Sequence, residues 1–457
     1  MEFMKAITYW GRRMVTVTMK TLLGAAFIIL HASLFTSCSP ETENVFGEQA
    51  ALRLQKAVAS YSATLESAPQ GWAMDFYPGD LTDGGIAYTA VFKDGRVTLS
   101  CERPIDYSEL VSKSEYVYTA GQEVTSSYTV KSENSIVLTF DTFNALIHYW
   151  AQPYGLKADG YASDYEFTFL SCTDSEVLLR GKKHDNLLRL TPLNESPATY
   201  ISKVMTTRTN LGDIPRKRAV VNGQTLNIEC TNNHLKYMDG EEKRDVPFTY
   251  TDNGLRFYEQ VSLGGFSCNV MTYDAASREL RSPDGQIVML APTSTERFVA
   301  TTKQWYFGYD KTAGASDMCD ELVSIVSAIV KNFKSAGWGY EVLNDIYLGI
   351  NLQSAAVDEH RMVLGWSSRI GYGTGDFNYF CYGIDMDTSD ENQQLVVINP
   401  TEPGVGFDTK TYCKPLVDFI AANSPYTLEF NDNDNPTQAR LTSQADTDKW
   451  FVLTIRN

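Results

Sequence analysis

What most constrains this chain is a series of short runs in which apolar residues take every second position and a turn former ends each run. Ile86, Tyr88, Ala90 and Phe92 alternate up to Asp94-Gly95, and Val97, Leu99 and Cys101 alternate away from it. A period of two gives a strand one core-facing side, and Asp-Gly supplies the left-handed residues of a tight hairpin turn. The pattern recurs at Ile136, Leu138 and Phe140, at Tyr165, Phe167 and Phe169, and at Val177 and Leu179. It continues at Leu226, Ile228 and Cys230, at Phe248 and Tyr250, at Leu255 and Phe257, at Phe266, Cys268 and Val270, and at Ile287 and Met289. Turns are explicit at T-D-N-G and S-P-D-G. Hairpins this closely spaced predict antiparallel sheets, curled into barrels or packed as sandwiches, over parallel strand-helix-strand units.

Helical spacing is confined to a few segments. Ala51, Leu54, Val58, Tyr61 and Leu65 recur at intervals of three and four between Gly47 and Glu66, before Pro69 and Gly71 stop the run. Leu322, Ile325, Val326, Ile329 and Phe333 form a second such face between Asp317 and Ser335, with Ser316 as an N-cap and Gly337 as the stop. The expected fold is therefore mainly β with a few helices, a β-rich α+β chain of consecutive antiparallel barrel-like or sandwich units. Its expected divisions are residues 47–195, a helix plus antiparallel β domain; 200–292, a second β-rich domain; and 305–457, a C-terminal α+β domain ending in the strand W-F-V-L-T-I.

Ahead of these units, M-K-T-L-L-G-A-A-F-I-I-L-H-A-S-L-F-T-S-C reads as the export signal of a bacterial lipoprotein. Lys20 supplies the positive start, Leu22 to Leu30 an apolar core too short to span a bilayer, and Thr36-Ser37 the small residues before the cysteine. Residues 1–37 are expected to be removed, Cys38 to carry the lipid, and residues 38–46 to form the tether. Acyl chains at about 0.8 kcal/mol per buried methylene would then hold the body on a membrane. Arg12-Arg13 also admits twin-arginine export, with initiation at Met19 rather than Met1 as the other reading of that stretch.

Charge narrows the partners. The chain has 39 basic and 56 acidic residues, a net charge of −17. Loss of residues 1–37 removes Lys5, Arg12, Arg13 and Lys20 but only Glu2, so the exported chain is more acidic still. Nucleic acid and anionic headgroups are repelled by such a surface. Beyond Cys38 the cysteines at 101, 172, 230, 268, 319, 381 and 413 show neither C-x-x-C pairs nor regular spacing, which argues for buried small hydrophobes over a disulfide framework or a zinc site.

The segments G-W-A-M-D-F-Y-P, G-G-I-A-Y, L-T-F-D-T-F-N, D-Y-E-F and D-K-W-F-V-L resemble those of a family of Bacteroidetes outer-membrane lipoproteins, classed as a domain of unknown function and found in starch-utilisation-type loci. The resemblance covers nearly all of the chain after Cys38. It implies an outer-membrane lipoprotein associated with an uptake complex, and it brings no established catalytic residues. In such lipoproteins an acidic patch like Glu41 and Glu43, just after the anchor, resembles the signal for the outer face; an incidental charge on a solvated tether is the equal alternative.

No catalytic set is visible. His148, His184, His234 and His360 are isolated, and there is no H-E-x-x-H helix. G-W-S-S-R around Ser367 has the outline of a nucleophile elbow, but Arg369 replaces the second glycine. Asp385, Asp387 and Asp390 make an oxygen-rich stretch of the kind that can hold calcium, although the glycine and terminal glutamate of the full calcium loop are missing and solvated turns explain it better. Trp366, Tyr372, Tyr379 and Tyr382 lie in the densest aromatic region, where exposed rings would stack on sugars or anchor a partner. Strand alternation into a core explains the same rings. The expectation is a lipid-anchored cell-surface binding or accessory protein for glycan or peptide capture, with no cofactor required. A glycan hydrolase is the alternative from another class, and a structural or adhesive surface protein the third.

Overall fold

The structure, a computed structural model, describes residues 50–455 apart from 80, 111–115, 154–157, 301–304, 308–316, 336–340, 351–360, 370–376, 380–381, 388–393 and 402–409. Over 341–413 the description is of the backbone. Strands dominate the described residues, and the sheets curl into barrels, consistent with a β-rich α+β chain.

The first sheet runs through β1 (Trp72–Phe76), β2 (Ile86–Lys93), β3 (Arg96–Cys101), β6 (Val124–Ser127), β7 (Thr129–Ser132), β8 (Ile136–Thr139), β9 (Glu166–Cys172), β10 (Val177–Gly181) and β11 (Leu187–Pro192). A two-residue ribbon, β4 (Ile105–Asp106) with β5 (Val117–Tyr118), stands apart. Each strand pairs antiparallel with its sequence neighbour, and β1 pairs with β11. Because β6 and β7 are one chain direction bent at Tyr128, with β6 on β3 and β7 on β8, the sheet closes into a ring of eight staves. The expected hairpin is present: Lys93 opposes Arg96, and Asp94 and Gly95 take φ of 50° and 72°.

A second closed barrel is formed by β12 (Arg216–Val221), β13 (Gln224–Thr231), β14 (His234–Asp239), β15 (Glu242–Tyr250), β16 (Gly254–Leu263), β17 (Phe266–Asp274), β18 (Glu279–Arg281) and β19 (Ile287–Met289). Its last strand returns to its first, with Val221 opposite Ile287. The third sheet contains β20 (Trp305–Phe307), β21 (Glu341–Ile350), β22 (Arg361–Arg369), β23 (Phe377–Tyr379), β24 (Tyr382–Asp387), β25 (Gln394–Thr401), β26 (Tyr426–Phe430), β27 (Gln438–Ser443) and β28 (Trp450–Ile455). Here β20 pairs with both β21 and β28, and β22 pairs with β21 as well as with β23 and β24. That ring is also a closed up-and-down meander. Among the described residues such rings confine free strand edges to short pieces such as β6, β7 and β23, each paired on one side.

Helices fill or cover the rims. Helix Ala50–Ser67 packs against the first barrel, where Trp72 Nε1 donates to the Leu65 carbonyl at 2.8 Å and the Tyr128 hydroxyl to Glu66 at 2.7 Å. Helix Pro197–Leu211 is capped by the Ser196 hydroxyl, which accepts from the Thr199 N–H, and leads into the second barrel. In the third unit Leu322, Val326 and Ile329 of helix Asp320–Ser335 share one apolar cluster with Leu416, Val417 and Ile420 of helix Lys410–Ala422. No helix among the described residues is long and apolar enough to cross a membrane.

Strand β1 shows why the first two barrels meet. All five of its residues are buried, which alternation alone would not require. Trp72, Met74 and Phe76 enter the first barrel's core, while Ala73, with Ala87 of β2, belongs to the apolar cluster of the second barrel. Small residues on the outer face let the two walls approach closely.

Candidate ligand-binding surface

In an antiparallel ring the connections alternate between rims. Those after β1, β3, β8 and β10 therefore leave the first barrel at one end, and two of them are long, spanning residues 102–123 and 140–165. The second folds back as a plug. Asn144 caps helix Ala145–His148 by accepting from the Leu146 N–H at 3.1 Å, while its amide donates to the Val124 carbonyl and the Ser126 hydroxyl, both at 3.1 Å. Leu146, Ile147 and Trp150 are buried in the core. Tyr88 donates to the Leu146 carbonyl and accepts from Trp150 Nε1, both at 2.8 Å, and Tyr107 donates to the Ala145 carbonyl at 2.8 Å. Side chains thus fill the barrel mouth.

Outside the plug lies an aromatic shelf. Tyr116, Val117, Phe143 and Tyr165 are between 44% and 61% exposed, which is unusual for side chains of this size gathered at one rim. His148 stacks on Tyr165, with centroids 4.8 Å apart and planes at 21°, and tilts against Phe143 at 5.4 Å. Tyr107, itself buried, supports the set through ring contacts with Tyr116, Phe143 and Tyr149. Burial holds the His148 imidazole below its ordinary pKa range, so the ring is neutral at pH 7. The result is a row of flat, uncharged faces fixed from beneath, suited to stacking on the apolar face of a sugar or on a peptide side chain.

The residues singled out from sequence lie elsewhere. Cys38, Tyr372 and Asp390 fall outside the described residues. Trp366 stands opposite Ile346, Tyr379 opposite Ser367, and Tyr382 opposite Leu364. This register sets Trp366 and Tyr382 on one face of the sheet and Tyr379 on the other. Asp385 and Asp387 lie within β24, opposite Arg361 and Val396, so the expected oxygen-rich loop is a strand at these two positions. Among the described residues no three His, Cys, Asp or Glu side chains come together as a metal site. Cys101, Cys172, Cys230, Cys268 and Cys319 are free thiols, and burial pushes Cys101 and Cys230 up to about 12, which leaves them poor nucleophiles. Both ring nitrogens of His234 are occupied, by Asp245 at 2.7 Å and the Leu81 carbonyl at 2.8 Å.

The shelf was missed in the sequence because Tyr165 reads as the first inward position of Tyr165, Phe167, Phe169. The strand instead begins at Glu166, and Tyr165 remains on the rim. A readable signal did exist: D-T-F-N-A-L-I-H sets an N-capping Asn directly after an aromatic residue.

Residues 42–275 match the family described as Domain of unknown function (DUF4302), and the chain belongs to that family. The match spans the first barrel and the second as far as β17. No curated protein matches the sequence. Among solved structures, the C. crescentus beta sliding clamp is similar at 10% identity over 88% of this chain and 97% of its own, with a TM-score of 0.14. The DNA polymerase III subunit beta sliding clamp of Bartonella birtlesii LL-WM9 gives 12% identity, the same coverages and a TM-score of 0.12. Scores this low carry no argument about fold or function.

Proposed function

We propose that this is a lipid-anchored binding or accessory protein of the bacterial outer membrane, facing outward and capturing glycan through the aromatic shelf of its first barrel. The observation that carries the reading is the exposed set Tyr116, Phe143 and Tyr165 with stacked His148, held by a buried plug that gives the rings fixed positions. The export-type run ending at Cys38 and the acidic charge support an anchored body with no affinity for nucleic acid. Hydrolysis is less well supported. A glycoside general acid needs a raised pKa, whereas of the two carboxylates in the cleft between the first two barrels, Asp284 is held below the usual range by the Ser282 hydroxyl and Glu259 is ion-paired with Arg244 at 2.7 Å.

Protease shaving of intact cells, read with an antibody to the C-terminal end and compared with lysed cells, tests the placement. Digestion in intact cells is expected; protection until lysis would overturn the outward-facing reading. Binding of malto-, cello-, xylo- and mannohexaose, measured by calorimetry, tests capture. Phe143→Ala with Tyr165→Ala is expected to abolish the binding that the unaltered protein shows while leaving the melting temperature nearly unchanged, since both rings are exposed.

A further inference from the structure

We propose that the cleft between the first and second barrels is a second binding site for the same class of ligand, an uncharged polyhydroxylated chain, held jointly by both barrels. The proposal rests on the glycan-capture reading and adds to it a site on different elements. Its origin is a break in the β16–β17 ladder. Arg256 opposes Val270 and Val261 opposes Cys268, so that the four residues from 257 to 260 face Asn269 alone. Bulges re-aim side chains and recur beside binding sites. This one sends the Tyr258 ring edgewise against Tyr77 of the first barrel, centroids 5.0 Å apart, and sets Glu259 and Gln260 beside an open cleft of about 530 Å³. Arg189 of β11 lines the first-barrel side, and Asn269 and Asp284 lie on the second-barrel side. That volume is within the range of small-ligand sites.

The chemistry of the lining selects the ligand. Glu259 is paired with Arg244 at 2.7 Å and Arg189 lies 3.5 Å from Glu176, while Asp284 accepts from the neutral Ser282 hydroxyl at 2.6 Å and the Gln286 N–H at 3.1 Å. An anionic ligand finds no unpaired cation in the lining, and the Asp284 carboxylate can accept from ligand hydroxyls. Neutral hydrogen-bonding capacity does remain. The exposed amides of Gln260 and Asn269 have no hydrogen-bond partner among the described residues. One aromatic ring beside unengaged amides and a carboxylate matches the alternating apolar faces and hydroxyl edges of a sugar chain.

The test uses the full chain with the four hexasaccharides as probes, read by calorimetry and by hydrogen exchange of residues 257–269. The hexasaccharide that binds is expected to slow exchange there. Gln260→Ala with Asn269→Ala, two exposed side chains whose loss leaves the fold intact, is expected to weaken binding roughly tenfold. Arg189→Lys, which keeps the charge and removes the planar guanidinium on the first-barrel side of the lining, is expected to weaken it about fivefold. Unchanged affinity in these variants, with binding lost in Phe143→Ala, would overturn the cleft and leave the capture reading standing. Binding lost only in the cleft variants would support the cleft and overturn the shelf. If none of the probes binds the unaltered protein, both fall.

Discussion

Glu102 shows how far one side chain's state depends on distant sequence. It directly follows β3, and its side chain is fully enclosed by the first barrel and the approaching helix Pro197–Leu211. Its Oε1 accepts from the Ala87 N–H at 3.2 Å, while Oε2 has no hydrogen bond. Arg208 and Arg103 lie 3.7 and 3.9 Å away, close enough for attraction but not for bonding. Burial raises its pKa from 4.5, and the two guanidinium groups only partly oppose that shift. A carboxyl raised in the folded state binds its proton more tightly there than in the unfolded chain. It therefore adds stability below pH 4.5 that is lost as pH rises from 4.5 through the raised value. Glu102→Gln, neutral at every pH, should melt close to the unaltered protein in acid and gain on it as pH rises from 4.5 through the raised value. Circular dichroism melts across that range provide the check, and a constant difference would refute the assignment. In sequence, Glu102 reads as an ordinary polar residue at a strand end, because the arginine and helix that enclose it come about a hundred residues later.

At the scale of elements, legibility divides between strand and connection. Alternation located β2 and β3 with their turn, and three-and-four spacing located helices Ala50–Ser67 and Asp320–Ser335, because these patterns are local and physical periodicity fixes them. The open choice between barrel and sandwich was settled by pairings such as Trp72 with Pro192, which join residues too far apart for any local pattern to register. The shelf was illegible for a related reason: whether an aromatic residue in a connection is buried or exposed depends on where that connection runs. Tyr149 and Trp150 turn inward while Phe143, a few residues away, stays out. What fixes the difference is the plug, and Tyr88 is its latch. Tyr88→Phe would leave the buried Trp150 N–H and Leu146 carbonyl without their partner, at a cost of about 2–4 kcal/mol for the two groups together. Urea titration followed by near-ultraviolet dichroism measures this. A loss under about 1 kcal/mol would mean that the plug is held by packing and not by the latch.

For the whole molecule, the consequential feature is that the first two barrels are locked and not strung on a linker. Asp75 of β1 is buried and pairs with Arg256 of β16 at 3.0 Å, and Arg256 also donates to the Thr191 hydroxyl at 3.2 Å. Tyr77 donates to the Arg256 carbonyl at 3.1 Å. The Gly85 N–H donates to the Phe248 carbonyl at 3.0 Å, and the Asn233 amide donates back to the Gly85 carbonyl at 2.7 Å. Glycine is required there, since a Cβ on Gly85 would stand 2.0 Å from the Thr249 hydroxyl. Backbone groups of each barrel are thus satisfied by the other. The family match crosses this joint, running from the first barrel into the second as far as β17. The third barrel meets the second through the exposed ion pair of Arg278 with Asp434 and through helix Ser294–Ala300, whose Phe298 lies in the third core and whose buried Glu296 pairs with Arg218 of β12 at 3.2 Å. Asp75→Asn would strand Arg256 in the joint. Breaking a fully buried pair costs about 3–5 kcal/mol, but Arg256 keeps 22% exposure and some hydration, so about 2–3 kcal/mol is expected. Because the joint belongs to both barrels, the loss should appear together in the slowest-exchanging amides of β1–β11 and of β12–β19, with those of β26–β28 unmoved. Native-state hydrogen exchange resolves the three groups. Weakening confined to β1–β11 would show that the barrels unfold independently and would also remove the rigid wall on which a shared cleft depends.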